Sequence, residues 1–115
     1  MSITRLQPGP RLSQAIVHGG LVYLAGQVAV DPAADTETQT RQILGKIDAV
    51  LAQAGTGKAR LLTATVWLTD INDYAAMNRA WDAWIEPGCA PARACIESRL
   101  AAPGLKVEIG GIAAL

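Results

Sequence analysis

The chain has 115 residues, 50% of them hydrophobic and only 17% charged, and its 10 basic and 10 acidic side chains cancel to a net charge of zero. No basic run stands out, so the footprint of a nucleic-acid binder is missing, and no apolar run approaches a membrane span. Cys89, Cys95 and the single histidine, His18, have neither zinc-ligand nor CxxC spacing, so no metal is expected.

The length predicts one domain, residues 1–115. So apolar a composition in so small a domain suggests that another subunit covers part of it. The opening MSITRLQPGP has no apolar stretch of the secretory kind, so the expected setting is the cytoplasm.

Residues 2–6 (SITRL) read as a short edge strand. Gln7-Pro8-Gly9-Pro10 reads as a loop, because proline fixes φ and glycine permits the reverse bend. Strands are expected over 14–18 (QAIVH) and 21–25 (LVYLA), joined by a Gly19-Gly20 hairpin turn. Gly26 interrupts the strand pattern, which predicts a bulge or a close approach by another group. The strand runs on to Val30, and Asp31-Pro32 ends it.

A helix is predicted from about Thr36 to Ala54. Thr36 with Gln39 resembles a capping box, and Asp35 competes as N-cap. Ile43, Ile47, Val50, Leu51 and Ala54 form its apolar stripe. Gly45 inside the helix costs about 1 kcal/mol relative to alanine, which close packing on a sheet would explain. Gly55 suits the left-handed residue that ends the helix.

Residues 61–69 (LLTATVWLT) form a strand pattern with Leu62, Ala64, Val66 and Leu68 on one face and Thr63, Thr65, Trp67 and Thr69 on the other. Asp70 or Asn72 caps a second helix over 73–85, with Tyr74, Met77, Trp81, Trp84 and Ile85 as its buried stripe. Pro87-Gly88 stops it.

The C-terminal quarter reads PARACIESRL, then AAPG, then LKVEIGGIAAL. Alternation puts Arg93, Cys95, Glu97 and Arg99 on one face of the first segment, and sets Glu108 opposite Val107 and Ile109 in the second. The short break predicts an antiparallel hairpin, in which an arginine, a thiol and a carboxylate share one sheet face. That trio suits a small carboxylate ligand with a proton to be handled beside it; a solvated outer face is the plainer reading. The expected order is β-β-β-α-β-α-β-β. Both helices are expected to cover the same face of one sheet, and the other face, with Arg93, Cys95 and threonines among apolar residues, to meet another subunit.

PARACIE…LKVEIGGIA resembles the signature of the RidA (YjgF) family, and GGLVYLAGQVAVD and VWLTDINDYAAMNRAWDAWI match its N-terminal hairpin and its stretch through the second helix. The resemblance covers nearly the whole chain. It implies an α+β fold similar to trimeric chorismate mutase, and a homotrimer with sites in the clefts between subunits. The implied activity is cofactor-free hydrolysis of reactive 2-imino acids to 2-keto acids and ammonia. An older family label, endoribonuclease, finds no support in the neutral charge balance.

Arg93 matches the family's carboxylate-binding arginine, a role its planar fork suits; an ion pair with Glu97, Glu108 or another subunit is the alternative. Glu108 matches the acidic residue associated with a water near the imine, and would otherwise partner Arg93, Arg99 or Lys106. Cys95 is a pocket wall by resemblance, or a small buried apolar residue. Asn78 matches an asparagine near the ligand, or is an exposed helix residue. Gly26 and Gln27 shape the cleft wall through their backbone. Two positions depart from the pattern: Leu12 stands where many deaminating relatives have tyrosine, and Ala25 where many have serine. A larger apolar substrate, or a protein that binds a small carboxylate without turnover, follows from that loss.

Overall fold

The computed structural model describes residues 2–115 and contains one mixed sheet with two α-helices on one of its faces. In chain order the elements are β1 Thr4–Leu6, β2 Ala15–His18, β3 Leu21–Val28, α1 Thr36–Ala54, β4 Leu61–Leu68, α2 Tyr74–Trp84, β5 Ala92–Glu97 and β6 Val107–Ala114. The expected β-β-β-α-β-α-β-β order is observed. Short 3₁₀ turns at Lys58–Arg60 and Ile71–Asp73 precede β4 and α2. Among the described residues no helix is long and apolar enough to cross a membrane.

Local signals account for most element ends. Gly19 and Gly20 take φ of 62° and 79°, the left-handed pair that a two-residue hairpin turn needs, and His18 pairs with Leu21 across it. Asp35 is the N-cap of α1: its carboxylate accepts from the Thr38 N–H at 2.8 Å. The Thr36 hydroxyl donates instead to Asp73 at 2.8 Å, tying α1 to the start of α2. Gly55, at φ 88°, closes α1 with its N–H on the Ala52 carbonyl. Asp70 caps the 3₁₀ turn through the Asn72 N–H, so neither it nor Asn72 caps α2.

The core lies between the helices and the sheet. Ile43, Ile47, Val50 and Leu51 of α1 join Met77 and Trp81 of α2 over Val22, Ala64, Val66, Leu68, Val107 and Ile109. Burial of each large aliphatic side chain contributes about 1.5–3 kcal/mol. A register shift between Leu61 and Thr63 buries Leu61 and exposes Leu62, against the simple alternation expected for β4. Tyr74, expected in the buried stripe of α2, is 44% exposed. Gly45 faces open space, with no atom near where a methyl group would sit, so close packing does not explain it.

The strand order is β1-β2-β3-β6-β4-β5. β5 and β6 therefore do not form the expected hairpin. β6 pairs antiparallel with both β3 and β4, and β5 pairs parallel with β4. Parallel strands need a crossover, which α2 supplies. The chain then uses residues 98–106, rather than a four-residue turn, to step back past β4. The far sheet face carries no helix. One row across it runs Ile16, Tyr23, Ile112, Thr63 and Ala92. Tyr23 and Ile96 are exposed there.

Candidate functional site

The sequence-predicted site residues gather at two places, around Arg93 where β5 meets α2 and around Glu108 at the β3–β6 bulge. Alternation along β5 and its register with β4 decide the first group. Arg93 pairs with Ala64 and Cys95 with Val66, and both of those β4 residues face the helices. Arg93 thus lies on the α2 side. Its guanidinium stacks over the Trp81 ring at 4.8 Å and beside Tyr74 at 5.8 Å. Nη2 donates to the Tyr74 hydroxyl at 3.2 Å, and Nη1 meets the soft sulfur of Met77 at 3.8 Å. Among the described residues Arg93 has no carboxylate partner; the ion pairs there join Glu37 to Arg41 and to Arg79.

A cavity of about 290 Å³ opens beside Arg93, lined by Asn78, Trp81, Asp82, Ala90, Pro91 and Arg93. Asn78 and Arg93 therefore share one hollow. Cys95 is half-buried and packs against the core. Burial pushes its thiol above the usual range, and the Arg93 charge offsets part of that rise. A thiol kept protonated suits a wall better than a nucleophile. The expected strand face ends at Glu97: Arg99 lies in the 98–106 linker, outside β5.

Glu108 heads the second group. It pairs with Trp67 on β4 and Val28 on β3, which sets it on the face away from the helices. The β3 ladder shifts between Leu24 and Gln27, so the predicted bulge is present and contains Gly26. A methyl group at Gly26 would stand 2.9 Å from the Glu108 carboxyl carbon and overlap the carboxylate itself. Glycine is required there so that the carboxylate can lie over the backbone. Among the described residues Glu108 has no cationic partner; Lys106 turns instead to the Ala34 carbonyl at 2.9 Å.

Gln27 is 4% exposed and points to the α1 side of the sheet, away from Glu108. Its amide donates to Gln14 Oε1 at 2.9 Å and to the Ala25 carbonyl at 3.1 Å. The Ala25 N–H donates to the Gln14 carbonyl at 2.9 Å. Gln27 and Gln14 thus fasten the bulge to the start of β2. Leu12, 55% exposed, lies in the loop just before Gln14, along a groove of about 540 Å³ that also includes Gly9, Pro10 and Arg11.

Arg93 and Glu108 cannot converge within one chain. Two strand steps and three residues along the ladder set their backbones roughly 14 Å apart, and their side chains leave opposite faces. The expectation that Arg93 and Cys95 share a sheet face with Glu108 fails on register: Arg93 and Cys95 pair with Ala64 and Val66 on the helix face, and Glu108 pairs with Trp67 on the other.

The sequence places Gln39 in a capping box with Thr36, but its side chain serves the loops instead. Wholly buried, it donates to the Ala34 and Gly104 carbonyls at 3.0 and 2.9 Å and accepts from the Lys106 N–H at 2.9 Å. It anchors the linker that delivers β6, and hence Glu108. A polar residue amid the apolar pattern of α1 was the available signal. Among the described residues no His, Cys, Asp and Glu side chains gather into a metal-ligand set.

Residues 2–115 match the family model described as endoribonuclease L-PSP. A RutC family protein of Haemophilus ducreyi is 50% identical over 107 residues, covering 93% of this chain and 92% of its own. The crystal structure of a YjgF family member from Neisseria meningitidis superposes with a TM-score of 0.96 at 43% identity, covering 99% of this chain and 95% of that one. A protein of the conserved Rid family from Yersinia pestis gives 0.87 at 36% identity, with 94% and 90% covered. The six-stranded mixed sheet with two helices is the chorismate mutase-like fold of these structures.

Proposed function

The chain belongs to the endoribonuclease L-PSP family, also called YjgF or RidA, and from that premise we propose that it hydrolyses reactive 2-imino acids to 2-keto acids and ammonia. The observation that carries this reading is Arg93: a half-buried cation, stacked on Trp81, with no carboxylate partner among the described residues and a cavity beside it. Such a group is complementary to a small carboxylate, which a guanidinium holds in a bidentate pair.

In this reading the site forms between subunits of a cytoplasmic homotrimer of 115-residue domains. One subunit supplies Arg93, Cys95 and Asn78. Its neighbour supplies Glu108 over Gly26, with Ala25 and Leu12 nearby. The apolar sheet face bearing Tyr23, Trp67 and Ile96 supports such an assembly, because an uncovered face of that kind is a contact surface.

The chemistry needs little. A protonated imine carbon is already electrophilic. The site must hold it by the carboxylate, set a water about 3 Å away, and accept one proton. Glu108 takes that proton as the C–O bond forms, and returns it to nitrogen. The C–N bond then breaks, ammonia leaves, and the hydroxyl proton is lost as the keto group forms. Water is the only co-reactant, so no cofactor enters the scheme.

The test is a coupled assay in which an amino acid oxidase generates imino acids and semicarbazide traps whatever imine survives. The wild-type chain should reduce trapping, and Arg93→Ala should lower that effect roughly 10- to 100-fold, as expected for loss of a charge-assisted pair. Equal activity in the variant would sink the mechanism. The apolar side chains at Leu12 and Ala25 favour a second reading, a trimer that binds a small carboxylate without turnover. Tight binding with no effect on trapping would select it.

A further inference from the structure

We propose that Tyr74 is a second binding residue for the substrate carboxylate, its phenol acting beside the Arg93 guanidinium. The inference rests on the Arg93 reading above and extends it to a residue that reading does not include.

The helical spacing of α2 places Tyr74 in line with Met77 and Trp81, and on that pattern it belongs in the core. It lies outside instead, with its ring beside the Arg93 guanidinium and its oxygen accepting from Nη2 at 3.2 Å. A phenol that accepts one hydrogen bond still has its own O–H to donate. Among the described residues no acceptor takes that proton. Asn78 follows four positions later on the same helix face and lines the cavity beside Arg93. Guanidinium, phenol and amide thus stand together on one edge of the molecule.

The chemistry of that set is specific. A carboxylate offers about four acceptor sites. A bidentate guanidinium fills two, and a phenolic O–H fills a third. Tyr74 and Trp81 also flank the guanidinium and limit the orientations it must give up on binding. Both present acceptors of Arg93, a thioether and a neutral phenol, are weaker than a carboxylate, so a ligand displaces them readily.

The probe is 2-oxobutanoate, titrated by calorimetry into the full-length wild-type protein, Tyr74→Phe and Arg93→Ala. Phenylalanine keeps the ring and removes only a hydroxyl at an exposed position, so the fold is not at risk. The proposal expects about tenfold weaker binding for Tyr74→Phe, and about a tenfold higher KM in the trapping assay with kcat within about twofold. Arg93→Ala should lose binding altogether. Wild-type affinity in Tyr74→Phe, with binding lost in Arg93→Ala, overturns the role of Tyr74 and leaves the Arg93 site standing. Unchanged binding in Arg93→Ala, or no binding by the wild type, overturns both.

Discussion

The two groups of site residues are built by opposite means. Among the described residues the β5–α2 group is a cation without an anion, held in place by aromatic faces and a phenol. Among the same residues the β3–β6 group is an anion without a cation, laid over bare backbone at a bulge. Each lacks what the other offers, and one sheet separates them. In the proposed function each group is half of a site, complete in its own chain while the chemistry is not. The same reading explains why the two ends use different residues. In the proposed mechanism a carboxylate anchor needs fixed orientation, which stacking would supply, and a base beside water needs room, which glycine would supply.

The largest expected effect comes from filling that room. Gly26→Ala should displace the Glu108 carboxylate and cut kcat by at least about 100-fold, the scale of losing a general base. Carboxylate binding at Arg93 should stay near that of the wild type in calorimetry. If binding falls as much as turnover, the two halves are not separable and the comparison fails.

A smaller effect is expected at the clasp behind the bulge. Gln27→Ala leaves the Gln14 amide oxygen without its donor and removes a buried bond to Ala25, for a loss of about 1–3 kcal/mol in denaturant unfolding. Activity should fall with it, and Arg93-dependent binding should not.

Two controls lie outside both halves. Gly45→Ala should stabilise the protein by up to about 1 kcal/mol, because the position is helical and the added methyl meets nothing. Turnover per site should not change. Asp35 gives the smallest effect. Its hydrogen bonds from Thr38 hold its carboxyl below the usual carboxylate value. A depressed folded-state pKa contributes stability that is present above the unfolded value and lost as pH falls through the folded one. Asp35→Asn should therefore lower stability slightly at neutral pH and leave the strongly acid end almost unmoved, so that the acid limb of a stability–pH curve flattens.

Much of the fold was legible in local pattern. Ile43, Ile47, Val50 and Leu51 marked the buried face of α1, Gly55 its end, Gly19-Gly20 the hairpin and Gly26 the bulge. Each depends on neighbours a few residues away. The insertion of β6 between β3 and β4 was not legible, because strand order is set by pairing between residues far apart in the chain. That order, with the register of β6 on β4, decides which residues lie beside Glu108. The alternation placing Arg93 with Cys95 was correct, and only the face it pointed to was misread. Tyr74, expected in the core, and Gln39, expected in a capping box, were misjudged for a related reason. One is apolar in spacing yet drawn outward by a cation, and the other is polar yet buried by four loop contacts.

The most direct test of a site shared between chains is subunit complementation. Arg93→Ala and Glu108→Gln chains, each strongly impaired alone, are unfolded together in equal amounts, refolded and assayed by imine trapping. If one subunit supplies the arginine and its neighbour the glutamate, random hybrid trimers recover about a quarter of wild-type activity. No recovery beyond the two parents, in hybrids shown by mass to have mixed, would contradict the shared site.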